Sequence, residues 1–358
     1  MKIALVCTAA GYAYRGLERF TSELFDLLKG DLSITLFGSN SQGKQGAVGL
    51  PCFKSDRWSH LFKEKNYYAQ QLSYSFSFIP LVIGQGYDIV HYSEPGMGNF
   101  LYHAKKWFKP KYKILFTNWG MEGSYCLRPD HLQEITSPAY DKTINYGIPK
   151  NKVSFIPYGL RTENFTVSYD RPALREKYGI PKDKFVILSV AALNRRHKRI
   201  DYLIRETSRL GNDFFLLVVG HPEEPDLNQL GENLLGQNFK SLYIPFDQMP
   251  EIYQLADLFV IPSLAEGFCL ALVEAMCSGL PVIANDTSIF QWVVGEPRCL
   301  ADLSKEGILV QKIREMATNY DSFKKIAEKN RARAIERFDW SHLKKDYVHL
   351  YERVLAGL

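Results

Sequence analysis

Short apolar runs alternate with stretches of helical periodicity from one end of this 358-residue chain to the other. That rhythm limits the fold more than any other feature. Residues 3–7 form an apolar run suited to a buried strand. Leu17, Phe20, Leu24, Leu27 and Leu28 then recur at helical spacing. Strand followed by helix, repeated, builds parallel sheets covered by helices. Further strands are expected at 33–37, 88–91, 113–117 and 153–157, with a long, partly amphipathic helical stretch over 56–83. A segment from Tyr158 to Ile180, with Gly159, Pro172 and Gly179 and little apolar periodicity, reads as a linker. A second series follows, with strands at 185–190, 214–220, 241–244, 258–262 and 281–284. Its helices start at 201 and near 251–256 and 270–278.

The expected class is therefore α/β, with two doubly wound, Rossmann-like domains facing a central cleft, spanning 1–165 and 166–340. The length agrees, because a single core seldom grows past about 250–300 residues. The last helix, 341–358, carries Leu343, Tyr347, Leu350, Tyr351, Val354 and Leu355 on one face and is expected to pack back on the first domain. Doubly wound sheets hold ligands beyond the carboxyl ends of their strands.

Composition removes several classes. Apolar residues make up 46% and charged residues 23%, a globular balance. No stretch approaches the roughly 18 apolar residues of a membrane span. The best run, 76–83, holds Ser77 and Pro80. The first residues read as a strand and turn, not a signal peptide. Cysteines at 7, 52, 126, 269, 277 and 299 form no CxxC pair and no Cys/His cluster, so neither a zinc site nor a disulfide scaffold is expected. A reducing cytoplasm is the expected location.

The net charge of +5 is unevenly spread. Residues 1–165 hold 19 Lys and Arg against 13 Asp and Glu, and the rest hold 25 against 26. The excess is either a solvated basic face or an attraction to an anionic acceptor or lipid surface. Lys105, Lys106, Lys109, Lys111 and Lys113 surround Trp107, Phe108 and Tyr112. With Lys54, Arg57, Lys63 and Lys65 beside Trp58 and Phe62, they suit peripheral contact of the first domain with the inner face of a membrane. Nucleic acid is not an expected partner, because no recognition motif accompanies the charge.

The strongest chemical signal spans 263–283, SLAEGFCLALVEAMCSGLPVI. A strand ends at Pro262, a polar loop with Gly267 follows, and a helix begins near Leu270. The first N–H groups of a helix lack internal partners and lie at the positive end of its dipole, so they suit a pyrophosphate. Glu266 before the helix and Glu274 inside it accept hydrogen bonds from hydroxyls, which suits a sugar at one end and a ribose at the other.

This E-x7-E arrangement resembles the signature of retaining GT-B glycosyltransferases, group 1 or GT4. Gly16-Leu17-Glu18-Arg19-Phe20 is similar to the family's N-terminal glycine loop, Asp88 to Pro95 to its third strand segment, Phe155 to Gly159 to the start of its linker, and Phe338-Asp339-Trp340 to the crossing before its terminal helix. The resemblance implies that the second domain binds a UDP- or GDP-sugar and the first an acceptor, which is a sugar, a glycan or a lipid-linked molecule. Glu266 would meet the transferred sugar. The backbone at Phe268, Cys269 and Leu270 would meet the diphosphate, as would the loop at Gly16. Glu274 would hold the ribose, and the strand end Tyr243 to Phe246 would meet the base, with His221 beside it. In Val190 to Arg199, Lys198 matches the family lysine, but Ala192 stands where the family has arginine, and Arg195 or Arg196 is expected to reach in from the loop. Asn118 stands where the family often has histidine. His131 and Glu94 are the other candidates for acceptor or sugar contacts.

The expected activity is transfer of a sugar, with retention, to an acceptor hydroxyl in glycan, polysaccharide or glycolipid synthesis. No cofactor or metal is expected, because no DxD-type clamp is evident. Two alternatives stay open: a nucleotide-sugar epimerase of the same fold, and a binding-only subunit without turnover.

Overall fold

The computed structural model describes residues 1–8, 16–39, 45–52, 66–120 and 128–358. The chain divides into two compact units. One joins Met1–Gly159 to Trp340–Leu358, and the other is Leu160–Asp339. The expected boundaries fell at 165 and 340. The first break comes earlier because Leu160 already belongs to the second unit: its N–H donates to Phe338 O at 2.7 Å, and it bridges to Asp339. Phe165 packs edge-on against Tyr253 of that unit.

Among the described residues the first unit has seven strands, all pairing in parallel: β1 (Lys2–Val6), β2 (Ser33–Gly38), β3 (Ala47–Gly49), β4 (Ile89–Tyr92), β5 (Lys113–Asn118), β6 (His131–Glu134) and β7 (Val153–Phe155). Their order is β3-β2-β1-β4-β5-β6-β7. The inner strands are buried on both faces, as a helix-covered parallel sheet requires. Helix Gly16–Leu28 turns Phe20, Leu24, Phe25 and Leu28 onto the sheet. Helices Asn66–Gly84 and Pro95–Phe108 contribute Tyr74, Phe78, Met97 and Leu101 to a core shared with Phe37, Tyr92 and Phe116. The helical expectation over 56–83 holds from Asn66 onward, and 53–65 lie outside the described residues. The strands β3 and β6 were not anticipated.

The terminal helix Trp340–Ala356 buries Leu343, Tyr347, Leu350, Tyr351 and Val354 within this unit, whereas Leu355 is exposed. Its two buried tyrosines join a polar chain through the sheet. His91 Nδ1 lies 2.8 Å from Tyr351 Oη, and His91 Nε2 lies 2.6 Å from Thr117 Oγ1. Thr117 donates to Gln133 Oε1, and Gln133 donates to Tyr347 Oη and Ile156 O. Each of these groups is buried, so a partner lost from the chain strands the next.

The second unit has β8 (Phe185–Val190), β9 (Phe214–Val219), β10 (Phe239–Leu242), β11 (Leu258–Ile261), β12 (Val282–Asn285) and β13 (Leu300–Ala301), again parallel, in the order β10-β9-β8-β11-β12-β13. β10 starts two residues before its expected position. The expected linker instead contains helix Arg171–Lys177. Asp170 caps it by accepting from Ala173 N–H, and Arg175 is buried against Asp257 at 2.6 Å. A buried ion pair hides the helix from an apolar-periodicity reading.

Burial holds His91 down at about 3. His131, buried and facing the Arg353 charge, is held at about 4. Both folded values lie below the ordinary value of about 6.5. The unfolded chain therefore binds more protons as pH falls below 6.5, and stability is lost from there down to the folded values. Each imidazole contributes a slope of up to about 1.4 kcal/mol per pH unit in that window. Urea unfolding between pH 7 and 4.5 should show this loss, with a shallower slope in His131→Gln. An unchanged slope in that variant would refute the assignment.

Candidate active site

In the second unit strand order reverses between β8 and β11, which pair directly. Loops leaving the carboxyl ends of two such strands diverge and leave room for a ligand. The loop after β8 carries Arg195 to Arg199, and the loop after β11 carries Ser263 to Cys269. Three consecutive side chains of the first loop reach the second. His197 Nε2 lies 2.9 Å from Ala265 O, Lys198 Nζ lies 2.5 Å from Glu266 Oε1, and Arg199 donates to Pro262 O and Leu303 O. Asn194 sets this geometry. Its Oδ1 accepts from His197 N–H and Lys198 N–H, turning the loop so that the lysine points across.

Helix Leu270–Cys277 starts directly beyond Glu266. Cys269, the residue before it, has φ of +72°, a left-handed conformation that costs a non-glycine residue energy. Burial, with the Glu266 charge adding to it, pushes the Cys269 thiol up to about 12, so it is a neutral group and not a nucleophile. Phe268 points into the core against Phe338 and Trp292, which leaves its backbone to face the loop. Glu274 is buried on the same helix and accepts from Tyr253 Oη at 2.6 Å. Ser263 Oγ is also buried here, with no hydrogen-bond partner among the described residues.

Arg195 does not join Lys198. Its guanidinium is held by Glu224 and Asp226, both at 2.5 Å, and its N–H by Glu224 Oε1. Hydrogen bonds to Asp226 and then Glu224 raise its pKa further. The expected reach of Arg195 toward a diphosphate is corrected: Glu224 in the loop after β9 and Asp226, which opens the helix Asp226–Leu235 that follows, hold it. That loop is zipped to the lysine loop by Leu193 N–H to His221 O and Glu224 N–H to Leu193 O. Arg195 thus braces the loop that carries Lys198. At the outer strands Tyr243 is exposed, and His221 meets it edge-to-face at 5.6 Å. Phe246 sits in a short turn beyond them, its ring 6.4 Å from Phe165.

The first unit reverses strand order between β1 and β4. Glu94, at the carboxyl end of β4, is buried there and accepts from Thr8 N–H at 2.6 Å and Thr8 Oγ1 at 2.5 Å. Asn118 ends β5, and its amide donates to both oxygens of Glu134 at 3.1 and 2.9 Å. Burial raises the Glu134 pKa, while its bonds from Thr143 and Asn118 oppose that rise. Gly16 opens its helix at an exposed position, and residues 9–15 before it lie outside the described residues. His131 is misplaced for the expected role. It begins β6, three residues or about 10 Å from the carboxyl edge. It is buried against Ser154 Oγ at 2.8 Å.

Thr8, Asn194, Glu134 and Tyr253 were missed in the sequence. Each is an ordinary residue whose importance lies in a partner distant along the chain. Only position marked the first three: Glu134 ends β6, Thr8 lies two residues past β1 and Asn194 four past β8.

Residues 170–333 match the family model described as Glycosyl transferases group 1. The chain is 26% identical over 245 residues to the alpha-galactosylglucosyldiacylglycerol synthase of Streptococcus pneumoniae, covering 65% of this chain and 63% of that protein. Among solved structures, the sucrose-phosphate synthase of Thermosynechococcus elongatus superposes with a TM-score of 0.82 at 18% identity, covering all of both chains. The Anabaena protein HepE in complex with UDP-glucose superposes with a TM-score of 0.80 at 18% identity, over 98% of this chain and 99% of that one. The two Rossmann-like units are those of the GT-B fold. The matched domain and the named relatives are glycosyltransferases.

Gly220 shows how tightly the loop after β8 is packed. A Cβ there would lie 1.9 Å from Ala191 O, a backbone atom that cannot swing aside. Gly220→Ala should cost about 1–3 kcal/mol of unfolding free energy. Gly30→Ala, with nothing within 4 Å of the added carbon, should stay within about 0.5 kcal/mol of wild type. Equal urea midpoints for the two variants would rule out this packing.

Proposed function

We propose that this protein is a glycosyltransferase that moves a sugar, with retention of anomeric configuration, from a UDP- or GDP-sugar to an acceptor hydroxyl. The observation that carries the reading is the Lys198–Glu266 pair at the β8/β11 reversal, directly before the helix start at Leu270. A cation, a hydroxyl-accepting carboxylate and the N–H groups of a helix start close together support binding of a sugar diphosphate.

In this mechanism the bond from the anomeric carbon to the diphosphate oxygen breaks while the acceptor oxygen bonds to that carbon on the same face. The acceptor proton passes to the departing phosphate oxygen. Lys198 and the start of the Leu270 helix neutralise the charge that develops there, the work a metal clamp does elsewhere. Glu266 orients the sugar hydroxyls, and Glu274, steadied by Tyr253, takes the ribose hydroxyls. Tyr243 and His221 offer the base an aromatic wall. The acceptor falls to the first unit, where Glu94 is the nearest acidic group to the β1/β4 reversal. The diacylglycerol-linked name of one relative supports an acceptor carried on a lipid or glycan.

Lys198→Met should lower the turnover of UDP- or GDP-sugar by about 10²–10³-fold. Glu266→Gln should lower it comparably while nucleotide alone still raises the melting temperature, since the base and ribose contacts are intact. Release of nucleotide from a panel of sugar donors measures the first effect, and thermal shift the second. Wild-type turnover in both variants would refute the reading.

A further inference from the structure

Trp119 follows β5 directly and lies 40% exposed at the carboxyl edge of the first sheet. Its ring is fixed there. The indole Nε1–H donates to Ser93 O at 2.9 Å, and Ser93 is the buried residue that follows β4. β4 and β5 pair in parallel, so this bond ties two adjacent strand exits and carries the ring from β5 toward β4, where Glu94 is the next residue. The turn behind the ring is equally defined. Asn118 Oδ1 accepts from Gly120 N–H, and Gly120 has φ of +103°, which glycine adopts without strain. The faces of Trp340 and Trp292 are taken by Phe20 and Arg337. Among the described residues no ring or cation stacks on Trp119.

What this indole can offer a ligand follows from which of its parts is engaged. A ring that binds by hydrogen bonding needs its N–H open. Here Ser93 holds the N–H, and the ring keeps its π face to offer. That face carries the negative side of the ring quadrupole. A pyranose presents the counterpart, a flat side of apolar, weakly positive C–H bonds with its hydroxyls around the rim. Covering the ring gains hydrophobic free energy, and a ring already held in place adds little ordering cost to binding. The neighbouring strand ends set the charge of the ligand. Thr8, Glu94, Asn118 and Glu134 stand at or within two residues of the carboxyl ends of β1, β4, β5 and β6. None is a cation, so these strand ends supply no counter-charge to a phosphate or carboxylate.

We infer that Trp119 is the platform on which the acceptor stacks, and that the acceptor hydroxyl belongs to an uncharged pyranose. The inference rests on the glycosyl transfer proposed above and narrows its acceptor to one chemical class. Stacking fixes the plane of the sugar and leaves its rotation to hydrogen bonds at the rim. The ring therefore selects pyranoses as a class and not one among them. An open-chain alcohol has no flat C–H face and gains nothing from it. Asn118 serves the platform through the fold: it is buried, its amide donates to both oxygens of Glu134, and its Oδ1 sets the turn at Gly120.

The test takes the full chain with UDP and with GDP and adds the methyl glycosides of glucose, galactose, mannose and N-acetylglucosamine, with glycerol, glucose 6-phosphate and choline for comparison. At least one glycoside should change the tryptophan emission, and the same glycoside should accept sugar from a UDP- or GDP-sugar. Trp119→Ala should abolish the emission change and raise the acceptor KM about tenfold, while the donor KM moves less than about twofold. Trp119→Phe keeps a stacking face without the N–H, and its acceptor KM should stay within about threefold of wild type. A wild-type acceptor KM in Trp119→Ala would overturn the inference, as would an equal rise in its donor KM, which would put the ring on the donor or in loop order alone. So would emission that answers to glycerol, glucose 6-phosphate or choline and to no glycoside, or to nothing in the panel. The two readings fail separately. An emission change without transfer removes the transferase and leaves a sugar platform, and transfer that Trp119→Ala leaves untouched removes the platform and leaves the transferase.

Discussion

The reversal of strand order in the second sheet is the constraint on which the site depends. In a parallel sheet, each crossover returns the chain on one side, and neighbouring loops lie close together. Only where successive connections run in opposite directions do two loops separate. Here that place is between β8 and β11, and the Lys198 and Glu266 loops are the ones that separate. A cation and a carboxylate 68 residues apart in sequence are thereby held at hydrogen-bond distance. No local propensity produces that approach.

Strand alternation was legible in the sequence because buried parallel strands are apolar on both faces. β1, β8, β9 and β11 show it plainly. β6 did not, although it is equally buried, because it reads His-Leu-Gln-Glu. Its polar side chains are satisfied by Ser154, Tyr347 and Asn118, none of them local. The strand is therefore visible only once its partners are placed. The same holds for helix Arg171–Lys177, whose buried Arg175 depends on Asp257, 82 residues on.

The candidate site divides along the same line. Glu266, Glu274 and Lys198 stand out in the sequence because they sit in a long patterned segment or between a strand and a helix, and the structure brings Lys198 against Glu266. The bracing of Arg195 is not visible there, because its partners Glu224 and Asp226 lie on a different loop and the helix it leads into. A sequence displays a charge but not what neutralises it. His131 failed for a related reason: proximity in sequence to β5 says nothing about which end of its own strand a residue occupies.

The two units use one architecture with a glutamate engaged by different partners at each reversal. In the first, Glu94 is buried and accepts from the N–H and the hydroxyl of Thr8. In the second, the reversal is spanned by an ion pair between partly accessible side chains. The Glu266 side chain is only 8% exposed and Lys198 20%, so a charge left without a partner here is costly, and each needs a replacement when a ligand enters. In the function proposed above, a phosphate arriving at Lys198 would replace Glu266 as its partner, and a sugar hydroxyl would replace Lys198 for Glu266. Both groups therefore exchange one charge-assisted bond for another, and the loops need not be refolded to receive a ligand. Bracing of the lysine loop through Asn194, Arg195 and the strand-end backbone keeps the cation in place while that exchange occurs. Loops held this way are ordered without a ligand, which is what the proposed electrostatic stabilisation of a leaving diphosphate would demand.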